Sequence, residues 1–206
     1  EPNADWYFWR GSPPFRAHAR LPDEELARVV DKHMLRKQQT TLTRIYDKPF
    51  AMKAMILNYN IPFLNAIFGK ALFVQLRRDY VSNVASVLDA RQRQFGEREQ
   101  WYSFRIPEYP NLKDLNPVAQ AAGQIVHIDR AVTRGINSLD QSRAMVVQYE
   151  EFCENPRETF RELLAKLGAD ETEKAYDGPE HFNISRNAEL PERKAIEYAL
   201  STFSAR

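Results

Sequence analysis

Arg78 carries the first chemical signal in the chain. An arginine forks two donors onto a phosphate. The residues around it say how it would be held. Residues 71–76 form a nearly unbroken apolar run, followed at once by Arg77, Arg78 and Asp79, and then by Val84, Val87 and Leu88 in helical spacing. That reads as a buried strand, a sharp turn bearing arginine, and a helix carrying Ser82 and Ser86. Ligands in open α/β sheets bind beyond the carboxyl ends of strands, where Arg78 falls, and a helix start adds N–H groups and a positive dipole end. Arg77 and Arg78 can equally cap the strand and pair with a neighbouring carboxylate. Lys53 lies in a second short apolar run, where an ammonium must either reach solvent or face an anion. A third run, 144–149, ends in Tyr149, Glu150 and Glu151. The four histidines (His18, His33, His127 and His181) are scattered without metal-ligand spacing, and no nucleophile elbow is present.

Periodicity supplies the elements that must position these side chains. Strands are expected at 50–55, 71–77 and 144–149, adjacent in one parallel sheet, with the first two joined by a helical connection through Leu64 and Phe68 that stops at Gly69. Asp23 reads as the cap of a helix in which Leu26, Val29, Val30 and His33 or Met34 share a face, fading by 40–43. His33 on that face is expected to be a packed core residue. Segment 96–110, with Trp101, Tyr102 and Phe104, reads as a surface loop or partly helical lid. Asn116–Pro117 starts a helix that buries Ala121, Ile125, Ile128 or Asp129, Val132 and Ile136. Asn155-Pro-Arg-Glu158 starts another, with Phe160, Leu163, Leu164 and Leu167 on its apolar face and Gly168 at its end. A last short helix falls near 191–203. The first twenty residues show no periodicity, and Trp6, Tyr7, Phe8, Trp9 and Phe15 either line an acceptor pocket or pack beneath a long loop.

Composition narrows the classes. A chain of 206 residues, 43% hydrophobic and 28% charged, is long enough for one domain with a real core. Lys plus Arg is 29 against 28 for Asp plus Glu, so an anion site must come from local clustering, and neither nucleic acid nor a membrane surface is indicated. Cys153 is the only cysteine, which excludes an internal disulfide and fits a reducing, cytoplasmic compartment, with a secretory lumen left open. The apolar neighbourhood 61–76 is interrupted by Asn65, Lys70 and Gln75 and is no membrane span. The chain opens at Glu1 rather than methionine and carries no signal peptide, and further residues upstream are expected.

In order and spacing, the motifs resemble those of the sulfotransferases that use 3′-phosphoadenosine 5′-phosphosulfate (PAPS). Lys53 lies 25 residues before Arg78, Ser86 follows Arg78 by eight, and Tyr149-Glu-Glu runs into the Asn155-Pro156 helix that ends Leu167-Gly168. The resemblance covers roughly residues 50–168. It departs in three places. The family's Pro-x-Ser-Gly-Thr-Thr-like phosphosulfate loop is absent, Tyr80 replaces the proline of Arg-Asp-Pro, and Ala54-Met55 replaces the Thr-Pro or Asn-Pro after the lysine.

The resemblance implies an α/β fold, a parallel sheet with helices on both faces of the P-loop NTPase-like sulfotransferase kind. It would form a single domain over 1–206, with the first strand and its loop expected outside the given residues. It implies transfer of a sulfuryl group from PAPS to a hydroxyl or amine of a carbohydrate or small alcohol, leaving adenosine 3′,5′-bisphosphate, without metal. Lys53 would stabilise the leaving oxygen, Arg78 and Ser86 would bind the 3′-phosphate, Tyr149 would frame the adenine, and Arg186 would sit on a late cofactor-contacting loop. Glu1, His18 and His33 stand as candidate bases. The alternative is a non-catalytic module that binds the bisphosphate or a sulfated partner. A nucleotide or sugar kinase is disfavoured, because no Walker lysine or acidic magnesium site is visible.

Overall fold

A computed structural model describes residues 21–169, 175–184 and 191–204. The chain enters through helix α1 (Asp23–Val29), which buries Leu26. It turns extended at Val30 and restarts as α2 (Lys32–Tyr46), capped by the Asp31 side chain, which accepts from the Met34 amide at 2.9 Å. The one helix expected from Asp23 is therefore two. Pro22 takes the cap position, and the Asp23 carboxylate accepts from the Asn60 amide group instead. Asp31 competes for the backbone amides, as a capping residue does. The break rephases the apolar face, so that Leu35 is buried while His33 and Met34 are exposed.

The strand expected at 50–55 does not form. The chain there is irregular and enters a 3-10 turn at Met55–Leu57. The alternation that suggests a strand is real: Met52 and Ala54 pack on the cluster of Leu26, Leu57, Leu64 and Ile67, while Lys53 is exposed. The burying partners are helices, and a run of Ala, Met and Lys has little intrinsic β preference to recruit a ladder. Helix α3 (Ile61–Ile67) follows, then strand β1 (Phe73–Arg77).

Asp79 caps helix α4 (Tyr80–Phe95), and Gly96, at φ 77°, ends it in the left-handed conformation that favours glycine. Segment 96–110 is a mostly exposed loop that turns helical at its end, as expected, and it is pinned to the core. Phe104 and Ile106 are buried, and the carbonyls of Arg98, Tyr102 and Phe104 accept from Arg91, Gln124 and Trp101. After the short α5 (Tyr109–Leu112), Asn116 caps α6 (Pro117–Asn137) by accepting from the Ala119 amide at 3.0 Å. A 3-10 turn leads to strand β2 (Ala144–Gln148), which runs into α7 (Tyr149–Glu154). Helix α8 (Pro156–Leu167) starts at the Asn155 cap and ends at Gly168 (φ 69°) as expected, and α9 (Arg193–Ser204) closes the chain.

Strands β1 and β2 pair in parallel, from Phe73 opposite Ala144 to Arg77 opposite Gln148. Helix α6 packs on both strands and α8 on β2, so the architecture is α/β, a parallel sheet flanked by helices, as expected. Among the described residues the sheet has two strands, not the expected three. Helices α4, α6 and α9 share the largest apolar cluster. In it Val81, Val84 and Leu88 meet Ala121, Ile125, Val126, Ile196 and Leu200. Helices α4 and α6 run antiparallel, since Tyr80 reaches Asp129 while Arg91 reaches Gln120. Among the described residues no helix is long and apolar enough to cross a membrane.

Candidate anion site at the strand ends

The carboxyl ends of β1 and β2 meet where the two polar motifs of the sequence lie. Parallel pairing in register sets Arg77 opposite Gln148, so the next residues, Arg78 and Tyr149, emerge side by side. The Arg78 guanidinium stacks on the Tyr149 ring, its carbon 4.9 Å from the ring centroid. One residue further on, the Glu150 carboxylate accepts from the Asp79 amide at 3.1 Å. Two cross-links thus join turns that stand 71 residues apart in the chain. An arginine stacked on an aromatic face loses less freedom when it grips a ligand than a mobile one does.

The start of α4 behaves differently from the expectation drawn from sequence. The Asp79 carboxylate accepts from the Ser82 amide at 2.8 Å, and it also engages the Val81 amide. Burial pushes this carboxyl up, but the bonds from Ser82 and Val81 outweigh it and hold the pKa below the ordinary aspartate value, with Arg193 assisting. Two of the amides that a helix start offers an anion are therefore already occupied. The helix start thus offers an anion less than its four leading amides would suggest. Ser86 stands on α4 six residues past Tyr80, about 9 Å along the axis at 1.5 Å per residue, and is half-buried.

Arg77 takes the other path. Its side chain turns onto α6, where its Nε lies 3.3 Å from Asp129 Oδ1 and a terminal nitrogen donates to Thr133 Oγ1 at 2.8 Å. Of the two readings open for the arginine pair, Arg77 fits the structural ion pair, while Arg78 stays at the strand end, stacked on Tyr149. Lys53 is exposed on the irregular segment before the 3-10 turn. His33 is exposed on α2, on neither strand's end. Glu1, His18 and Arg186, and the aromatic residues Trp6 to Phe15, lie outside the described residues.

Sequence reasoning missed Glu150 as a tie between the strand ends, and it missed the whole set around Asp129. A signal for the latter is present. An aspartate at an inward position of a long apolar helix, and a glutamine within an apolar strand, each demand a polar partner. Gln75 and Asp129 are those partners, 3.0 Å apart. Among the described residues no group of three or more His, Cys, Asp or Glu gathers for a metal ion.

Comparison with known proteins bears on this arrangement. The chain is similar in structure to a sulfotransferase domain from the curacin biosynthetic pathway, with a TM-score of 0.50 and 17% sequence identity. The match covers 75% of this chain and 52% of that one, so this chain spans about half the length of its structural relative. At that identity the likeness speaks for the fold. No curated protein matches the chain. The sequence model of the sulfotransferase family matches residues 13–173, which take in both strands, Lys53, Arg78, Ser86 and Tyr149. The chain belongs to the sulfotransferase family.

Proposed function

We propose that the chain is a PAPS-dependent sulfotransferase, transferring a sulfuryl group to a hydroxyl or amine of a carbohydrate or small-alcohol acceptor. The supporting observation is the Arg78 guanidinium stacked on Tyr149 where the two parallel strands end. A planar cation with forked donors suits a phosphate monoester such as the 3′-phosphate of the donor, and the aromatic ring beside it suits a purine edge. In this reading Arg78 and Ser86 hold the 3′-phosphate, Tyr149 orients the arginine and frames the adenine, and Arg186 is a further cofactor contact. The sulfur–oxygen bond to the bisphosphate breaks as the bond to the acceptor forms, and the acceptor proton passes to a base. Lys53 stabilises the charge that grows on the leaving oxygen. Such a reaction needs positioning and charge stabilisation more than covalent help. The reading takes the chain as one domain in a reducing, cytoplasmic compartment, which the lone buried thiol of Cys153 suits.

The test is a transfer assay with PAPS and a panel of sugars, phenols, alcohols and amines, run beside calorimetry with adenosine 3′,5′-bisphosphate. Bisphosphate binding together with a sulfated product supports the enzyme. Binding without any sulfated product across the panel favours the non-catalytic module. No binding ends the reading.

A further inference from the structure

Three points of the strand–turn–helix unit are tied to one carboxylate. Asp129, on α6, accepts from Gln75 Nε2 at 3.0 Å and Arg77 Nε at 3.3 Å through Oδ1, and from the Tyr80 hydroxyl at 2.7 Å and Arg77 Nη2 at 3.4 Å through Oδ2. Thr133, one turn on, accepts from Gln75 at 3.1 Å and Arg77 at 2.8 Å. Residues 75, 77 and 80 are thereby fixed to α6, and Arg78 lies between the last two. On the opposite side Glu150 holds the Asp79 amide.

Tyr80 occupies the first position of α4. A proline is favoured there, because its ring presets the helical φ and the amide it lacks has no partner within the helix. Asp79, at φ −45° and ψ 126°, lies outside the α region that a following proline disfavours, and its ψ is one that such a residue takes. Tyr80 has no ring closure to fix its backbone, but its side chain is anchored at the far end. Burial, then the bond to Asp129, raises its phenol to about 12, so it stays a donor across the neutral range.

We infer that Tyr80 and Asp129 form a clamp between α4 and α6 that fixes the first turn of α4 and so aims Arg78, which makes Asp129 a positioning residue of the anion site. The clamp stands on the geometry alone. Its effect on ligand rests on the function proposed above.

Two measurements on the full chain separate these levels. Hydrogen exchange at the Ser82, Asn83 and Val84 amides reads the first turn without any ligand, and calorimetry with adenosine 3′,5′-bisphosphate reads the site. Tyr80→Phe, a mild change that removes one hydroxyl, is expected to speed exchange at these amides and weaken bisphosphate binding, each about fivefold, the value of one net hydrogen bond. Asp129→Asn is expected to do more, about tenfold or beyond. Adding Tyr80→Pro to Asp129→Asn is expected to restore both, because proline presets the same turn covalently. A general stabilisation by proline would slow exchange throughout the chain, whereas restoring the clamp slows it selectively at Ser82, Asn83 and Val84. Unchanged exchange in Tyr80→Phe and Asp129→Asn overturns the clamp, and so does faster exchange that the proline leaves uncorrected. Faster exchange with undiminished affinity overturns Asp129 as a positioning residue of the site. A wild-type chain that binds no bisphosphate sinks the functional reading, while the exchange arm still decides the clamp.

Discussion

Replacing Arg78 by lysine and by alanine separates charge from geometry at the strand ends. The wild-type guanidinium has two attributes there: a forked pair of donors, and a face resting 4.9 Å above Tyr149. Alanine removes the charge, the fork and the stack. A charged hydrogen bond contributes about 1.5–3 kcal/mol net, so Arg78→Ala is expected to weaken adenosine 3′,5′-bisphosphate binding about 10- to 150-fold. Lysine keeps the charge but presents a point donor, and is expected to lose about 3- to 10-fold. Tyr149→Ala leaves the arginine in place without its platform. At a half-exposed site a cation–π contact contributes about 0.5–1 kcal/mol, which predicts a loss of about two- to fivefold. Tyr149→Phe keeps the ring and is expected to lie near wild type. Arg77 is the comparison, because its side chain is committed to Asp129 and Thr133. Its alanine variant is expected to shift the thermal midpoint more than the affinity. Isothermal calorimetry at two salt concentrations gives the whole series, and screening should shrink the Arg78→Ala difference at high salt. Wild-type affinity in Arg78→Ala would refute the argument, and so would an equal loss in Arg77→Ala and Arg78→Ala at unchanged stability.

Other consequences can be checked separately. On the proposed reading, in which the Lys53 contact strengthens in the transition state, Lys53→Ala is expected to cut turnover on the order of 100-fold or more with little effect on bisphosphate affinity; near-normal turnover makes Lys53 a surface lysine without a catalytic role. Gly135→Ala brings a Cβ to 2.7 Å from Ile61 Cβ, close to the α3 backbone. The helix-propensity gain of about 1 kcal/mol is smaller than an overpacking cost of about 1–3 kcal/mol. A lower urea midpoint is therefore expected, and a raised one would show that α3 yields freely. His127 has its pKa lowered from 6.5 by burial, only partly offset by Glu108 at 3.8 Å. Its folded pKa lies below the unfolded value, so stability is complete above about pH 6.5 and falls as pH drops through the folded pKa. Urea midpoints at pH 7.5 and 5 are expected to differ less in His127→Gln than in wild type, and identical differences would remove His127 as a source of acid sensitivity.

How much of the fold is legible in the amino-acid sequence depends on the range of the forces involved. Local signals read well. Asn116 and Asn155 cap their helices, Gly96 and Gly168 stand at positive φ where α4 and α8 stop, and the runs at 73–77 and 144–148 are strands. Caps, stops and apolar runs are decided within a turn or two of the chain, so their residue types suffice. At 50–55 the local signal is correct and its interpretation as a strand fails. Burial does alternate there, but a period of two shows only that one side is covered, and says nothing about whether a strand or a helix covers it. The helix expected from Asp23 fails in a related way. A valine pair followed by aspartate is a weak helix interior and a good new start, and the competing cap at Asp31 prevails.

The site divides along the same line. That Arg78 stands at a strand end is local information, and the sequence carries it. That Tyr149 lies under it needs the register of two strands 71 residues apart, which apolar runs of equal length leave undetermined. Gln75 and Asp129 show what sequence can and cannot supply. Each is a polar residue in an apolar frame, and burying either without a partner costs more than a typical hydrogen bond returns, so the existence of partners is implied. Which partner stays open, because the sequence offers many donors and acceptors to each. The choice follows from topology: α6 lies across β1 with Asp129 level with the turn, where it meets Gln75, Arg77 and Tyr80 together. One carboxylate serving three side chains is a tertiary fact. It also explains how a chain with tyrosine at the first position of α4 can keep that turn fixed.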